Sequence, residues 1–148
     1  MEIFGPTPSV SPELVVGLIS AMVLGALIGL ERQLRRHPGG LHMNALVALG
    51  SAAFMIAGTL VGDATAPGRV AGQIVTGVGF LCAGVVLHQG TTVRGINTAA
   101  TVWCSSAVGV LAGMGLTLWA GAVALLVLIA NIALHYAEHR IIDSQKNA

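Results

Sequence analysis

Long apolar runs, separated by short polar stretches, make up most of this chain. The first run, 14–30, has no charged residue and ends in a polar stretch that closes on Pro38-Gly39-Gly40, a loop signal. A membrane-spanning helix needs about 20 mostly apolar residues. The pattern predicts five spanning helices, at about 12–30, 41–62, 70–88, 97–114 and 116–135.

The last two spans come from one long uncharged stretch between Arg94 and Glu138. A single helix of that length would measure roughly 65 Å, whereas the hydrocarbon core of a bilayer is only about 30 Å thick. The chain must therefore turn within the stretch, and Gly113-Met114-Gly115 is the best place for the turn.

The composition also indicates that lipid, and not water, surrounds the apolar surface of these helices. Hydrophobic residues make up 55% and charged residues 9% of the 148 residues, whereas soluble domains carry about 25% charged residues. We expect an all-α integral membrane protein that forms a single domain over 1–148, without a C-terminal soluble domain. The formal net charge of +1 gives no basic field for nucleic acid. No Lys or Arg precedes the first run, so we expect no signal peptide.

The basic residues are divided unequally between the two sides of the predicted bundle. Six of the seven Lys and Arg residues fall on one side, and only Arg69 falls on the other. Because short loops rich in Lys and Arg face the cytoplasm, we expect the N-terminus outside and the C-terminus in the cytoplasm. The cytoplasmic group consists of Arg32, Arg35, Arg36, Arg94, Arg140 and Lys146.

Small residues recur every four positions in two of the spans, where they allow close approach of helices. The stripes are Gly17, Ala21, Gly25 and Gly29 in the first span, and Thr101, Ser105, Gly109 and Gly113 in the fourth. The hydroxyl groups of the second stripe can form hydrogen bonds across helices. The third span has glycines on more than one face, so we expect it to lie centrally. Such stripes can serve packing within the chain or form a homo-oligomer interface, and the sequence does not separate the two.

Polar residues gather at the predicted cytoplasmic edge, and polar groups in a membrane protein are functional candidates. They are Glu31 and Arg32 at the end of the first span, Asn44 near the start of the second, and Arg94, Asn97 and Thr98 around the start of the fourth. Two helix N-termini together with Arg32 and Arg94 could hold an anion such as a phosphate or lipid headgroup, with Glu31 paired to one of these arginines. The alternative is structural: Asn44 and Asn97 as helix N-caps and the arginines as membrane anchors.

The predicted outer side has fewer polar groups. Asp63 and Arg69 flank a short connection, and we expect Gln73 to bond to a neighbouring helix. One carboxylate is too few for a magnesium site. The spans contain no carboxylate near mid-membrane for an ion pathway, which counts against a simple cation transporter.

Catalytic and metal-binding signatures are not found in the sequence. No Ser-His-Asp set, phosphate loop or HExxH pattern is present, so we expect no enzyme activity, cofactor or metal site. Cys82 and Cys104 fall in apolar runs and are interpreted as packing residues. A pH-responsive face is conceivable, but interfacial residues without a switching role are the preferred interpretation of the histidines, which all fall on the cytoplasmic side: His37, His42, His88, His135 and His139.

Four linked stretches resemble the N-terminal membrane domain of the MgtC/SapB family. They are LGALIGLERQ (24–33), NALVALGSAAF (44–54), RVAGQIVTGVGFLCAGVV (69–86) and VRGINTAATVWCSSAVG (93–109). Together they cover roughly 17–135 in the family's order, and the last stretch is the most diagnostic. By motif, the resemblance marks Glu31, Arg32, Asn44, Asp63, Arg69, Gln73, Arg94, Asn97, Trp103 and Cys104.

The resemblance implies a multi-pass protein of the bacterial inner membrane. The family is linked to growth at low magnesium, to survival inside host phagocytes and, for some relatives, to acid tolerance. Its members are regarded as regulators that act through other membrane proteins, ATP synthase among them, rather than as established transporters.

Three features depart from the family's pattern. A basic residue before the second span's asparagine is replaced, since the family's LRT reads Leu41-His42-Met43 here. Cys82 replaces a glycine of the family's FLGAG, which puts close packing at that point in doubt. Many members also carry a cytoplasmic ACT-like domain, and this chain ends shortly after the last predicted span.

Our interpretation is a regulatory or adaptive membrane protein that acts by helix contact with partners in the lipid bilayer, with the cytoplasmic edge as its functional face. The alternative is a transporter or channel for magnesium or another small ion. Such a protein would need a polar track, and the only obvious lining residues are Thr76, Thr101 and Ser105.

Overall fold

The structure, a computed structural model, describes residues 11–37, 39–89 and 92–146, and within these it leaves the side chains of 87–89, 92 and 138–146 undescribed. It confirms five helices, each long and apolar enough to cross a membrane. They are α1 (Pro12–Leu34), α2 (Leu41–Leu60), α3 (Ala66–Val85), α4 (Ile96–Gly113) and α5 (Thr117–Lys146). A short antiparallel hairpin, β1 (Leu87–Gln89) and β2 (Thr92–Arg94), joins α3 to α4.

Several helix boundaries differ from the predicted spans, because a helix ends where its backbone is capped and not where apolar residues stop. Helix α1 continues through Glu31 and Arg32, so Arg32 lies inside the helix. Helix α3 begins earlier than predicted, with Pro67 in its first turn, where proline's fixed φ suits a helix start. It also ends earlier, at Val85, because the following residues form the hairpin. The N-terminal residues 1–10, which were predicted to lie outside the cell, are not among the described residues.

The turn between α4 and α5 confirms the prediction at Gly113-Met114-Gly115. The backbone N–H of Gly115 donates to the carbonyl of Ala112, and that of Leu116 donates to the carbonyl of Leu111. This is the Schellman pattern of helix ends, which requires a left-handed residue; Gly115 supplies it with φ +78°. The same pattern ends α1, but there Arg36 takes the left-handed conformation, with φ 57°.

Helix α4 is the centre of the bundle and contacts all four other helices. Its glycines allow this arrangement, because a Cβ atom at Gly109 would overlap the backbone of Ala48 in α2, and one at Gly113 would lie 2.7 Å from the carbonyl oxygen of Ala52. On α1, a Cβ at Gly25 would lie 2.6 Å from the carbonyl oxygen of Asn44. The two small-residue stripes are therefore packing surfaces within the chain.

Helix α3 is peripheral, so the prediction that it lies centrally was wrong. It packs against α2 and α4 only along a narrow face, with Ala66, Ile74 and Val78 buried. Its glycines do not mark close contacts inside the described chain, since a Cβ at Gly72, Gly77, Gly79 or Gly84 would meet nothing within 4 Å. Glycine content alone misled the prediction, because glycines serve equally on a surface that faces lipid or another chain.

Candidate functional site

A buried arginine joins α1 to α4 at one end of the bundle. This end, which we call the arginine end, carries Arg32, Arg35, Arg36 and Arg94. Arg32 is 5% exposed, and its guanidinium donates hydrogen bonds to the hydroxyl oxygens of Thr98 at 2.7 Å and Thr101 at 3.1 Å. The hydroxyl of Thr101 in turn donates to the backbone carbonyl of Asn97 at 2.8 Å. Arg32 thus turns into the bundle and does not act as an exposed membrane anchor.

Asn44 forms a second buried connection at the same end. Its amide nitrogen donates to the carbonyl oxygens of Gly39 at 2.6 Å and Gly40 at 2.9 Å, and its amide oxygen accepts from the hydroxyl of Ser105 at 2.8 Å. One fully buried side chain therefore ties the α1–α2 connection to α4. The N-cap positions of α2 and α4 are Gly40 and Gly95, so the alternative prediction that Asn44 and Asn97 are N-caps was wrong.

The buried polar side chains form a column that runs from the arginine end and stops near the middle of the bundle. Its members are Arg32, Asn44, Thr98, Thr101, Ser105, Ser51 and Ser106. Its last pair is Ser51 of α2 and Ser106 of α4, whose hydroxyl oxygens lie 2.8 Å apart. Beyond this pair, the buried side chains that the structure describes are apolar or are glycines, and Ala52, Met55, Val108 and Ala112 fill the space. The polar interior is therefore confined to the half of the bundle at the arginine end.

Glu31 forms an ion pair with Arg35, one turn further along the chain, which the sequence did not predict. The guanidinium of Arg35 also lies over the ring of Tyr136 of α5, 5.7 Å from its centre, at a distance that suits a cation–π contact. Arg94 and Asn97 are exposed. Of the predicted cluster of Glu31, Arg94 and Asn97, the structure brings Glu31 and Asn97 to the wall of one cavity, whereas Arg94 is not among the described residues that line it.

A cavity of about 430 Å³ opens at the arginine end between α1, α4 and α5. His37 and His135 lie edge to face beside it, with ring centres 5.8 Å apart, and connect the segment after α1 to α5. The sequence analysis missed Asn131, although an amide within an apolar run was a usable signal. The polar groups that line the cavity are Glu31, Arg32, Arg35, His37, Asn97, Thr101, Asn131 and His135.

The opposite end carries a compact exposed turn. The Asp63 carboxylate accepts hydrogen bonds from the backbone N–H of Thr65 at 2.9 Å and from its hydroxyl at 2.8 Å, and pairs with Arg69 at 2.9 Å. These contacts, the Thr65 backbone bond above all, lower the pKa of Asp63 from its ordinary value. Gln73 is exposed beside a groove between α2 and α3, and it forms no hydrogen bond with another described helix, contrary to prediction.

The remaining motif positions lie on α3 and α4. Trp103 is about half exposed, and Cys104 borders the cavity. The thiol of Cys82 donates to the carbonyl oxygen of Ala99 at 3.2 Å, so the cysteine that replaces a glycine still packs against α4. Within the described chain, no group of three His, Cys, Asp or Glu residues is placed to hold a metal ion.

These features define a class: a multi-pass membrane protein with close helix packing at small residues, whose interior is polar at one end and apolar at the other. The model of the MgtC family matches residues 18–140, and the chain belongs to that family.

Relatives of the chain are similar to it over 79–86% of its length. It is 50% identical to "Protein MgtC" of Salmonella typhimurium over 127 residues, which cover 86% of this chain and 54% of that protein. It is also 50% identical to "Protein MgtC" of Brucella abortus, over 79% of this chain and 49% of that protein. An uncharacterized protein of Synechocystis is 50% identical over 82% of this chain and 52% of its own length.

The chain therefore spans about half the length of the curated relatives that it matches. No solved structure matches it. The family assignment rests on the sequence comparisons, and the fold and the polar interior rest on the geometry described above.

Proposed function

We propose that this protein is a regulatory or adaptive protein of the bacterial inner membrane that acts through contact with other membrane proteins at its arginine end. The proposed context, growth at low magnesium, comes from the family. The observation that carries the proposal is the uneven interior. Seven buried polar side chains, from Arg32 to Ser106, lie in one half of the bundle, and polar groups inside membrane-spanning segments are costly and typically serve a function.

Transport of magnesium or another small ion is the weaker candidate. A transport path would need polar groups along the whole bundle, but Thr76 is exposed on α3 and bonds to its own helix through the carbonyl of Gly72. Thr101 and Ser105 belong to the column that ends at the Ser51–Ser106 pair. The cavity itself is lined by arginines, which disfavour a cation.

The partner is proposed to be a membrane protein, and the family resemblance makes ATP synthase a first candidate. The proposed contact surface includes Arg94 and Asn97, which are exposed at the arginine end. Because neither side chain contributes to the buried network described above, both can be changed without opening the bundle.

The test is co-purification after cross-linking in native membranes, read by mass spectrometry. The Arg94→Ala/Asn97→Ala double variant is expected to lose a partner that the parent chain retains, at unchanged protein level. The matched control is Asp63→Ala/Arg69→Ala, which removes an exposed ion pair at the opposite end and is expected to keep the partner. Equal recovery of the same partners from all three chains would contradict the proposal, as would magnesium flux through purified protein in liposomes.

A further inference from the structure

The cavity at the arginine end offers more positive charge and hydrogen-bond donors than negative charge. Two guanidinium groups, of Arg32 and Arg35, line it together with one carboxylate, of Glu31. That carboxylate is already engaged in an ion pair with Arg35. The side chains of the cavity thus have the charge balance of an anion site and not of a cation site.

Arg32 is fixed in the wall of this cavity and is not a mobile surface group. It is 5% exposed, and the hydroxyl oxygens of Thr98 and Thr101 orient its guanidinium. Hydroxyl acceptors orient a cation without contributing negative charge. A buried and oriented guanidinium suits the recognition of an oxyanion, whose several oxygen atoms can accept from its planar fork.

Helix α5 supplies a further donor to the wall of the cavity. The amide nitrogen of Asn131 is fully buried and has no hydrogen-bond partner among the residues that the structure describes. Buried donors are nearly always paired, so such a group calls for an acceptor. Asn131 and Arg32 come from different helices and border the same space, so one ligand with several oxygen atoms could accept from both.

We propose that this cavity binds a phosphate-type oxyanion, either inorganic phosphate or the phosphate group of an anionic lipid. A volume of about 430 Å³ leaves room for a phosphate group with atoms attached to it. Two apolar side chains of α5, Val127 and Leu134, also border this cavity. The glycerol and first acyl carbons of a lipid can pack on them. This proposal adds a ligand to the end where partners are proposed to bind, and only its link to partner binding rests on the proposed function.

The test measures binding without any partner, so its failure is distinct from failure of the proposed function. The full chain is placed in nanodiscs of phosphatidylcholine, and its thermal unfolding midpoint, Tm, is compared in inorganic phosphate and in chloride at equal ionic strength. A second arm adds phosphatidylglycerol to the nanodiscs and omits phosphate. A ligand that binds only the folded state raises Tm. A rise in the first arm assigns free phosphate, a rise only in the second assigns a lipid headgroup, and no rise in either overturns the inference.

Variants then locate the binding. Asn131→Leu is nearly isosteric and removes the unpaired donor, so its Tm without ligand should equal or exceed that of the parent. Its apparent affinity for the stabilising anion should fall by about tenfold, as loss of a hydrogen bond to a charged group predicts. Gln73→Leu, in the groove between α2 and α3, is the matched control and should keep the full response. An anion response that is the same in Asn131→Leu and in the parent would place binding elsewhere and overturn the inference.

Discussion

Asn44 shows how one side chain can hold three parts of a membrane bundle together. It satisfies two carbonyl oxygens of the α1–α2 connection and accepts from Ser105 of α4. These bonds share one buried side chain, so the network is worth more intact than the sum of its single bonds. Close approach of the helices depends in turn on glycine, because Gly109 and Gly113 let α4 meet the backbone of α2.

We expect Asn44→Leu to destabilise the fold by about 1–3 kcal/mol, since it leaves the buried Ser105 hydroxyl and the Gly39 carbonyl oxygen without the Asn44 side chain as their partner. The free energy of unfolding in detergent measures the effect. Asn97→Leu is the control: it is also an asparagine at this end, but its side chain is exposed, and it should change the free energy by less than about 0.5 kcal/mol. Equal effects of the two substitutions would show that the Asn44 network does not stabilise the bundle.

Two glycine substitutions distinguish a glycine that is needed for close helix packing from one that is not. Gly109→Ala places a methyl group against the backbone of Ala48 and should cost about 1–3 kcal/mol of stability, because backbone cannot move aside as a flexible side chain can. Gly79→Ala, on the open surface of α3, should be neutral or slightly stabilising. Thermal unfolding in detergent distinguishes them. A loss of stability in Gly79→Ala as large as that in Gly109→Ala would contradict the packing described for these helices.

The sequence predicted the members of the polar column better than their partners. Arg32, Asn44 and Thr98 stood out as polar residues at the predicted cytoplasmic edge, and the hydroxyls of the Thr101–Ser105 stripe were predicted to be able to bond across helices. The pairing of Glu31 with Arg35 was missed, because it requires α1 to continue a full turn past its apolar residues. The cavity was missed altogether, since it depends on how α5 crosses α1 and α4.

At the scale of elements, the five helices follow from apolar length, whereas their arrangement does not. In a bilayer, hydrophobicity does not show which helices are buried inside the protein, because lipid-facing positions and buried positions are equally apolar. Helix α4, with the lowest mean hydropathy of the five spans, proves to be the most buried, and α3 one of the least. The short polar segment between α3 and α4 gave no sequence signal for a β-hairpin.

The Asp63 carboxyl group in the α2–α3 turn should titrate with a lowered pKa. The pKa of Asp63 is lowered in the folded chain, so the stabilisation that its contacts provide is present above the ordinary carboxyl pKa of about 3.9 and is lost as pH falls through the lower folded value. Carbon NMR of the labelled carboxyl group in detergent measures it. Arg69→Gln should keep most of the lowering, because the Thr65 bonds are the larger cause. A midpoint at or above 3.9 in the parent chain would contradict this assignment.

At the scale of the whole molecule, the two ends of the bundle are chemically different. The arginine end holds the buried column, the cavity and most of the described cations, whereas the other end has apolar buried side chains and one exposed ion pair. The positive-inside rule predicts that the arginine end faces the cytoplasm. A regulator that contacts partners there needs no path through the far half, so the packed half can serve stability alone.

Growth at low magnesium tests the account most directly. A bacterial strain that requires this gene under magnesium limitation is complemented with the parent chain, with Arg94→Ala/Asn97→Ala, or with Asp63→Ala/Arg69→Ala, and the amount of protein in the membrane is measured for each. We predict that the double variant at the arginine end fails to restore growth at normal protein level, while the variant at the opposite end restores it. Full growth with the first variant, or loss of growth only with the second, would show that function does not reside at the arginine end.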